Sequence, residues 1–175
     1  VTNDMSEKRR VLILYATKNG TTKKCANMLA DKIDAFAEVT VNNLADADPP
    51  TSSYDLIVLG SPIRMGRIHK KVKKYIKNNK NILGVKPFAF YICNAYQDIA
   101  RRYIVKNLPP KLREHAVAVD TFGGELNPTF QKGMDRRATE MLLKNMEKNG
   151  DDISINRRNI SDFANKIKTA LKKMQ

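Results

Sequence analysis

Apolar residues along this chain fall into two alternating kinds of stretch. The first kind is short and continuous. RVLILY at 10–15 predicts a buried strand, and YDLIVLG at 54–60 and KPFAFYIC at 86–93 predict central strands covered on both faces. AEVTVN at 37–42 alternates apolar with polar residues, as a sheet edge does, and 115–122 reads as a last strand that begins at His115. The second kind carries apolar residues at helical spacing. Cys25, Ala26, Leu29, Ala30 and Ile33 mark a helix over 21–36, and Val72, Tyr75 and Ile76 mark a basic helix over 69–79. Further helices are predicted over 97–107, stopped by LPPK, over 129–148, and over 158–173. In the last of these Ile160, Phe163, Ala164, Ile167, Ala170 and Leu171 face inward. Residues 1–9 are polar and expected to be flexible, leaving 10–175 as one domain.

Strands alternating with helices predict an α/β fold, a doubly wound five-stranded parallel sheet with helices on both faces. Ligands of such sheets sit beyond the carboxyl ends of the strands, where the strand order reverses. Four loops are expected at that edge: 16–22, 61–69, 94–98 and 123–128.

The first loop carries the clearest chemistry. Thr17, Lys18, Asn19, Gly20, Thr21 and Thr22 follow a buried strand and open a helix. Hydroxyls, small residues and first-turn amides together suit a phosphate or another small anion. The alternative is an N-cap and turn, for which Thr and Asn are ordinary choices. The loop lacks the GKT or GKS end of a triphosphate loop and the three-glycine dinucleotide pattern.

ATKNGTT resembles the phosphate-binding loop of the flavodoxins. Thr17, Gly20 and Thr22 match the outer hydroxyl, the glycine and the final threonine, while Asn19 and Thr21 exchange one hydrogen-bonding side chain for another. Within that superfamily the chain is similar, over roughly 10–172, to flavodoxin-domain proteins of the menaquinone-dependent protoporphyrinogen dehydrogenase type. Gly60, Ile63, Arg64, Gly66 and His69 match that group's second run, and FGGEL precedes an extra helix before the C-terminal one. The group carries a long basic insert after its fourth strand, whereas CNAYQDIARRYI is short here. The resemblance implies strand order 2-1-3-4-5 and non-covalent binding of flavin mononucleotide (FMN), with its phosphate on residues 17–22. It also implies a ring site among Ser61, Pro62, Ile63, Arg64, Met65 and Gly66, with Asn94, Ala95 and Tyr96, and with Gly123, Gly124 and Glu125. Tyr96 is the only aromatic in the 94–98 loop, and the chain has no Trp to stack on a ring.

Charge adds a partner class. The 175 residues carry a net charge of +14, and between Leu56 and Gln97 there are nine Lys or Arg and no acid. Arg64, Arg67, Lys70, Lys71, Lys73, Lys74, Lys77 and Lys80 dominate that stretch, which predicts an acidic protein, an anionic substrate or an anionic membrane surface as partner. Without interleaved aromatics for base stacking, nucleic acid is the weaker reading. His69 reads either as a proton shuttle or as the start of a helix. Cys25 and Cys93, far apart in sequence, read as buried thiols of a reducing compartment. The chain opens at Val1 rather than Met, as a processed or incomplete chain does, and it has no long apolar run or secretory leader. A cytoplasmic place is expected, with or without peripheral contact to a membrane. No metal site and no catalytic residue is assigned. Three functions remain: an FMN-dependent oxidoreductase of the protoporphyrinogen or quinone type, a pure electron carrier, or a flavin-free α/β module binding through its basic face. A dimer is compatible with each.

Overall fold

A computed structural model describes residues 8–46, 49–124 and 154–174, together with Arg137, Glu140, Met141 and Lys144. The apolar runs become parallel strands: β1 Arg10–Tyr15, β2 Glu38–Asn43, β3 Leu56–Arg64, β5 Phe88–Cys93 and β6 Ala118–Thr121. A two-residue strand, β4 Arg67–Ile68, turns back antiparallel on the end of β3. The order across the sheet is β2-β1-β3-β5-β6, which is 2-1-3-4-5 for the five parallel strands, as expected. The alternating strand β2 lies at an edge, and the mostly apolar β1, β3 and β5 lie inside.

Side chains of a strand alternate between faces, so each central strand feeds two cores. Val11, Ile13, Leu56, Val58, Ala89 and Tyr91 pack with α1 (Thr21–Ile33) and α6 (Arg157–Lys172). Leu12, Leu14, Ile57, Leu59, Phe88 and Phe90 pack on the other face with α2 (Lys70–Asn78) and α4 (Ala100–Asn107). Each fully buried Val, Leu, Ile or Phe among them contributes roughly 1.5–3 kcal/mol. Of the six positions expected to face inward on the last helix, Ile160, Phe163, Ala164, Ile167 and Leu171 are buried and Ala170 packs against their edge.

Several expectations are corrected. Residues 61–64 are not loop: β3 continues to Arg64, and 61–68 form a tight hairpin. The basic helix ends at Asn78 and is followed by a one-turn helix, α3 Lys80–Leu83. LPPK does stop α4, but Pro110 also starts another helix, α5 Pro110–His115, because proline is tolerated in a first turn where its missing N–H has no acceptor to lose. His115 therefore ends a helix instead of beginning a strand, and its Nε2 lies 2.8 Å from the Lys86 carbonyl oxygen. In the stretch predicted as an extra helix, Arg137, Glu140, Met141 and Lys144 are helical, and its other residues lie outside those described. So do residues 1–7 of the expected N-terminal segment; Arg9 donates to the Met174 carbonyl at 2.7 Å. Among the described residues no helix is long and apolar enough to cross a membrane.

Candidate functional site

Strand β1 has β2 on one side and β3 on the other, with register Tyr15↔Asn43 and Tyr15↔Gly60. Since α1 covers one face and α2 the other, the switch point lies beyond Tyr15 and Gly60. The 17–22 loop occupies that place. Thr17 Oγ1 accepts from the Gly20 N–H at 2.9 Å, and Asn19 Oδ1 accepts from the Thr21 N–H at 3.2 Å. These two short bonds close the turn on itself. Gly20 stands before α1 with φ 89° and, as the N-cap, brings no side chain of its own, so Asn19 serves only the Thr21 amide. First-turn amides have no acceptor inside a helix, so the Thr22 and Lys23 amides point out of the helix end. Among the described residues nothing beyond its chain neighbours lies within 4 Å of where a Cβ on Gly20 would stand. Thr22 is fully buried, and its Oγ1 has no oxygen or nitrogen partner among the described residues.

Facing the loop is the β3–β4 hairpin. Its tip is Met65 and Gly66, both at positive φ (52° and 74°), and Met65 is 90% exposed. Asn107 on α4 holds the tip: its Nδ2 donates to the Gly66 carbonyl at 2.8 Å, and its Oδ1 accepts from the Ile68 N–H at 3.3 Å. Nothing in the sequence near Asn107 signals this role. At the base, Ser61 Oγ accepts from the His69 N–H at 2.9 Å. A cavity of about 530 Å³ separates Lys18 from the hairpin residues Pro62, Arg64, Met65 and Arg67, and from Ile68, His69 and Lys70. No acidic residue lines it among those described. Ion pairs such as Arg9–Asp55 (3.5 Å) and Arg10–Glu38 (3.7 Å) lie at the opposite end of β1.

The remaining predicted loops meet each other. Asn94 is buried, accepts from Thr121 Oγ1 at 2.6 Å, and donates through Nδ2 to the Tyr96 carbonyl. A Cβ on Gly124 would touch the Asn94 carbonyl carbon at 3.3 Å and the Ala95 nitrogen at 3.5 Å. Gln97 Oε1 accepts from Asn156 Nδ2 at 2.7 Å, tying this cluster to the start of α6. Asn94, Ala95, Tyr96, Gly123 and Gly124 are thus brought together, while Lys18 and the hairpin share the cavity. Ser61 and Ile63 face away from it, toward the α2 side, and Glu125 lies outside the described residues.

His69 caps α2, its Nδ1 accepting from the Lys71 N–H at 3.1 Å. Burial first, then Lys18, Lys71 and Lys70, lowers its pKa from the usual 6.5. The unfolded chain therefore binds this proton more readily than the folded one. The stability His69 contributes is complete above pH 6.5 and declines as pH falls from there toward the lowered folded value. Urea midpoints for the protein and for His69→Asn, which keeps a capping side chain, are expected to diverge as pH drops from about 7.5 to about 5, the variant losing less. Parallel curves would remove His69 from the account.

The two cysteines are free and buried, as expected, and the fold makes them neighbours. Burial, then contact with Cys25, pushes the Cys93 thiol well up, and the Thr22 side chain partly offsets this.

Sheet order, switch-point crevice and hydroxyl loop define a doubly wound α/β protein of the flavodoxin type. The chain belongs to the flavodoxin-domain family, whose model matches residues 12–154. A curated relative is the protoporphyrinogen IX dehydrogenase [quinone] of Escherichia coli strain K12, 31% identical over 87 residues, which are 49% of this chain and 48% of that protein. The chain thus spans about half the length of the curated relatives it matches. Among solved structures, the Flv1 flavodiiron core from Synechocystis sp. PCC6803 superposes with a TM-score of 0.59 at 16% identity, over 97% of this chain and 38% of that one. A Fusobacterium nucleatum flavodoxin bound to flavin mononucleotide gives 0.51 at 14% identity, over 93% and 98%. At these identities the likeness is one of fold.

Proposed function

We propose that this chain binds FMN non-covalently at the switch point and transfers electrons through it. The observation that carries the reading is the start of α1 after Gly20, whose N-cap residue supplies no side chain, opening beside a cationic cavity. In this reading Thr17, Lys18, Asn19, Gly20, Thr21 and Thr22 hold the phosphate, with the Thr22 and Lys23 amides as donors. In the same reading the side chains of Pro62, Arg64 and Met65 and the backbone of Ser61, Ile63 and Gly66 would meet the ring, with Asn94, Ala95, Tyr96, Gly123, Gly124 and Glu125 as its further contacts. The residues present fit the group: the space beside Gly20 is open, and among the described residues every charged group lining the cavity is basic. Bound there, the flavin would supply one- and two-electron redox chemistry. The protein's own part is to hold the phosphate, to place a cationic field beside the ring, and to leave the hairpin tip open to a partner.

The oxidoreductase version, with a protoporphyrinogen or quinone as partner, draws support from the partial match to the Escherichia coli enzyme. The carrier version draws support from the exposed tip at Met65, flanked by Arg64 and Arg67. A cytoplasmic place accords with two free thiols. Flavin-free protein given excess FMN is expected to turn yellow and to retain the cofactor through gel filtration. Turnover of a soluble quinone by the reduced protein would favour the enzyme over the carrier. Folded protein that stays colourless and binds polyanions in a salt-dependent way would replace the redox reading with the basic interaction module.

A further inference from the structure

Beneath the 17–22 loop lies a buried phenol that neither the fold's packing nor the proposed contacts to FMN account for. Tyr91 sits on β5, fully buried, yet its hydroxyl donates to the Thr22 carbonyl at 3.1 Å, across 69 residues of sequence. The route passes over Gly60 on the neighbouring strand. A Cβ there would lie 2.1–2.5 Å from the Tyr91 ring and hydroxyl, so only glycine leaves the path open. The ring cannot swing aside. Phe122 stacks on it with centroids 4.4 Å apart, and Phe163 meets it edge-on at 6.2 Å. Phenylalanine would fill this core equally well; the hydroxyl adds only the bond to Thr22.

That bond falls on the first turn of α1. A helical carbonyl keeps a second lone pair beyond its intrahelical bond, and Tyr91 takes it. The same turn presents the Thr22 and Lys23 amides at the helix end, and Gly20 contributes no cap to hold it. Burial pushes the Tyr91 phenol well above 10, so it stays a donor at any working pH.

We propose that Tyr91 is a positioning residue for the anion cradle: its hydroxyl pins the Thr22 carbonyl to β5 and so fixes where the first-turn amides of α1 point. The identity of the anion as the FMN phosphate rests on the function proposed above; the pinning does not. Tyr91→Phe keeps the ring and the core, and is the variant to test. For the flavin-free protein and the variant, affinities are measured for FMN and for riboflavin, which lacks the phosphate. FMN affinity is expected to fall about five- to tenfold and riboflavin affinity to change less than twofold. A merely structural tyrosine would weaken both alike, and that outcome, or no change in either, overturns the proposal. Amide hydrogen exchange supplies an arm independent of flavin. Lys24–Ala26 are expected to exchange at least fivefold faster in the variant, with α6 unaffected. If the parent protein binds no FMN, the flavin reading falls and this exchange difference decides the pinning alone. If it binds FMN and the phosphate increment survives in Tyr91→Phe, the pinning falls and the flavin reading stands.

Discussion

Gly20→Glu is expected to lower FMN affinity about a hundredfold, against less than tenfold for riboflavin. Space is not the obstacle, since among the described residues nothing beyond its chain neighbours lies within 4 Å of a Cβ built on Gly20. The φ of 89° costs an L-residue roughly 1–2 kcal/mol, which the variant meets whether or not a ligand is present. What separates the two ligands is charge. A carboxylate at the mouth of the cradle faces the phosphate, and unit charges 4 Å apart interact by about 4 kcal/mol at an effective dielectric of 20. Solvent screening reduces this, and a hundredfold corresponds to about 2.7 kcal/mol. Gly20→Gln, equal in length and neutral, isolates the backbone contribution and should retain most FMN affinity. Equal affinities for the Glu and Gln variants would place the phosphate somewhere other than the start of α1.

Phe163→Ala is expected to destabilise the fold by about 3–5 kcal/mol. Phe163 is 1% exposed and edge-on to both Phe122 (5.0 Å) and Tyr91 (6.2 Å), so truncation leaves a hole among rigid rings that cannot close by rotation. At roughly 2–4 °C per kcal/mol for a chain of this size, the melting temperature should fall by roughly 10 °C, read by circular dichroism. The same rings hold Tyr91 in place, so FMN affinity in the surviving folded protein should also fall. A shift below about 3 °C would mean that α6 is held by its aliphatic stripe of Ile160, Ile167 and Leu171, and not by the aromatic trio.

The turn that closes residues 17–21 was legible in the sequence because it is local. Gly20 donates to Thr17 three residues back and Thr21 to Asn19 two residues back, and a strand–turn–helix transition confines them to one place. The hairpin was not legible. SPIRMGRIH has the glycine and charge of a loop, and it becomes two short strands because Asn107, from a helix far along the chain, holds the Gly66 carbonyl and the Ile68 amide. LPPK misled for a different reason: the same proline that cannot continue one helix is well placed to begin another.

By itself the sequence determined the order and kind of the main elements, the two-faced sheet, and the position of the hydroxyl loop at its carboxyl edge. Those follow from hydrophobic periodicity and turn chemistry, which act over a few residues. Tertiary structure alone decided that Cys25 meets Cys93, that the Tyr91 hydroxyl crosses Gly60 to reach Thr22, and that Lys18 looks across a cavity at Arg64 and Arg67. Each of those meetings depends on strand register and helix placement, and these are set by packing between segments tens of residues apart.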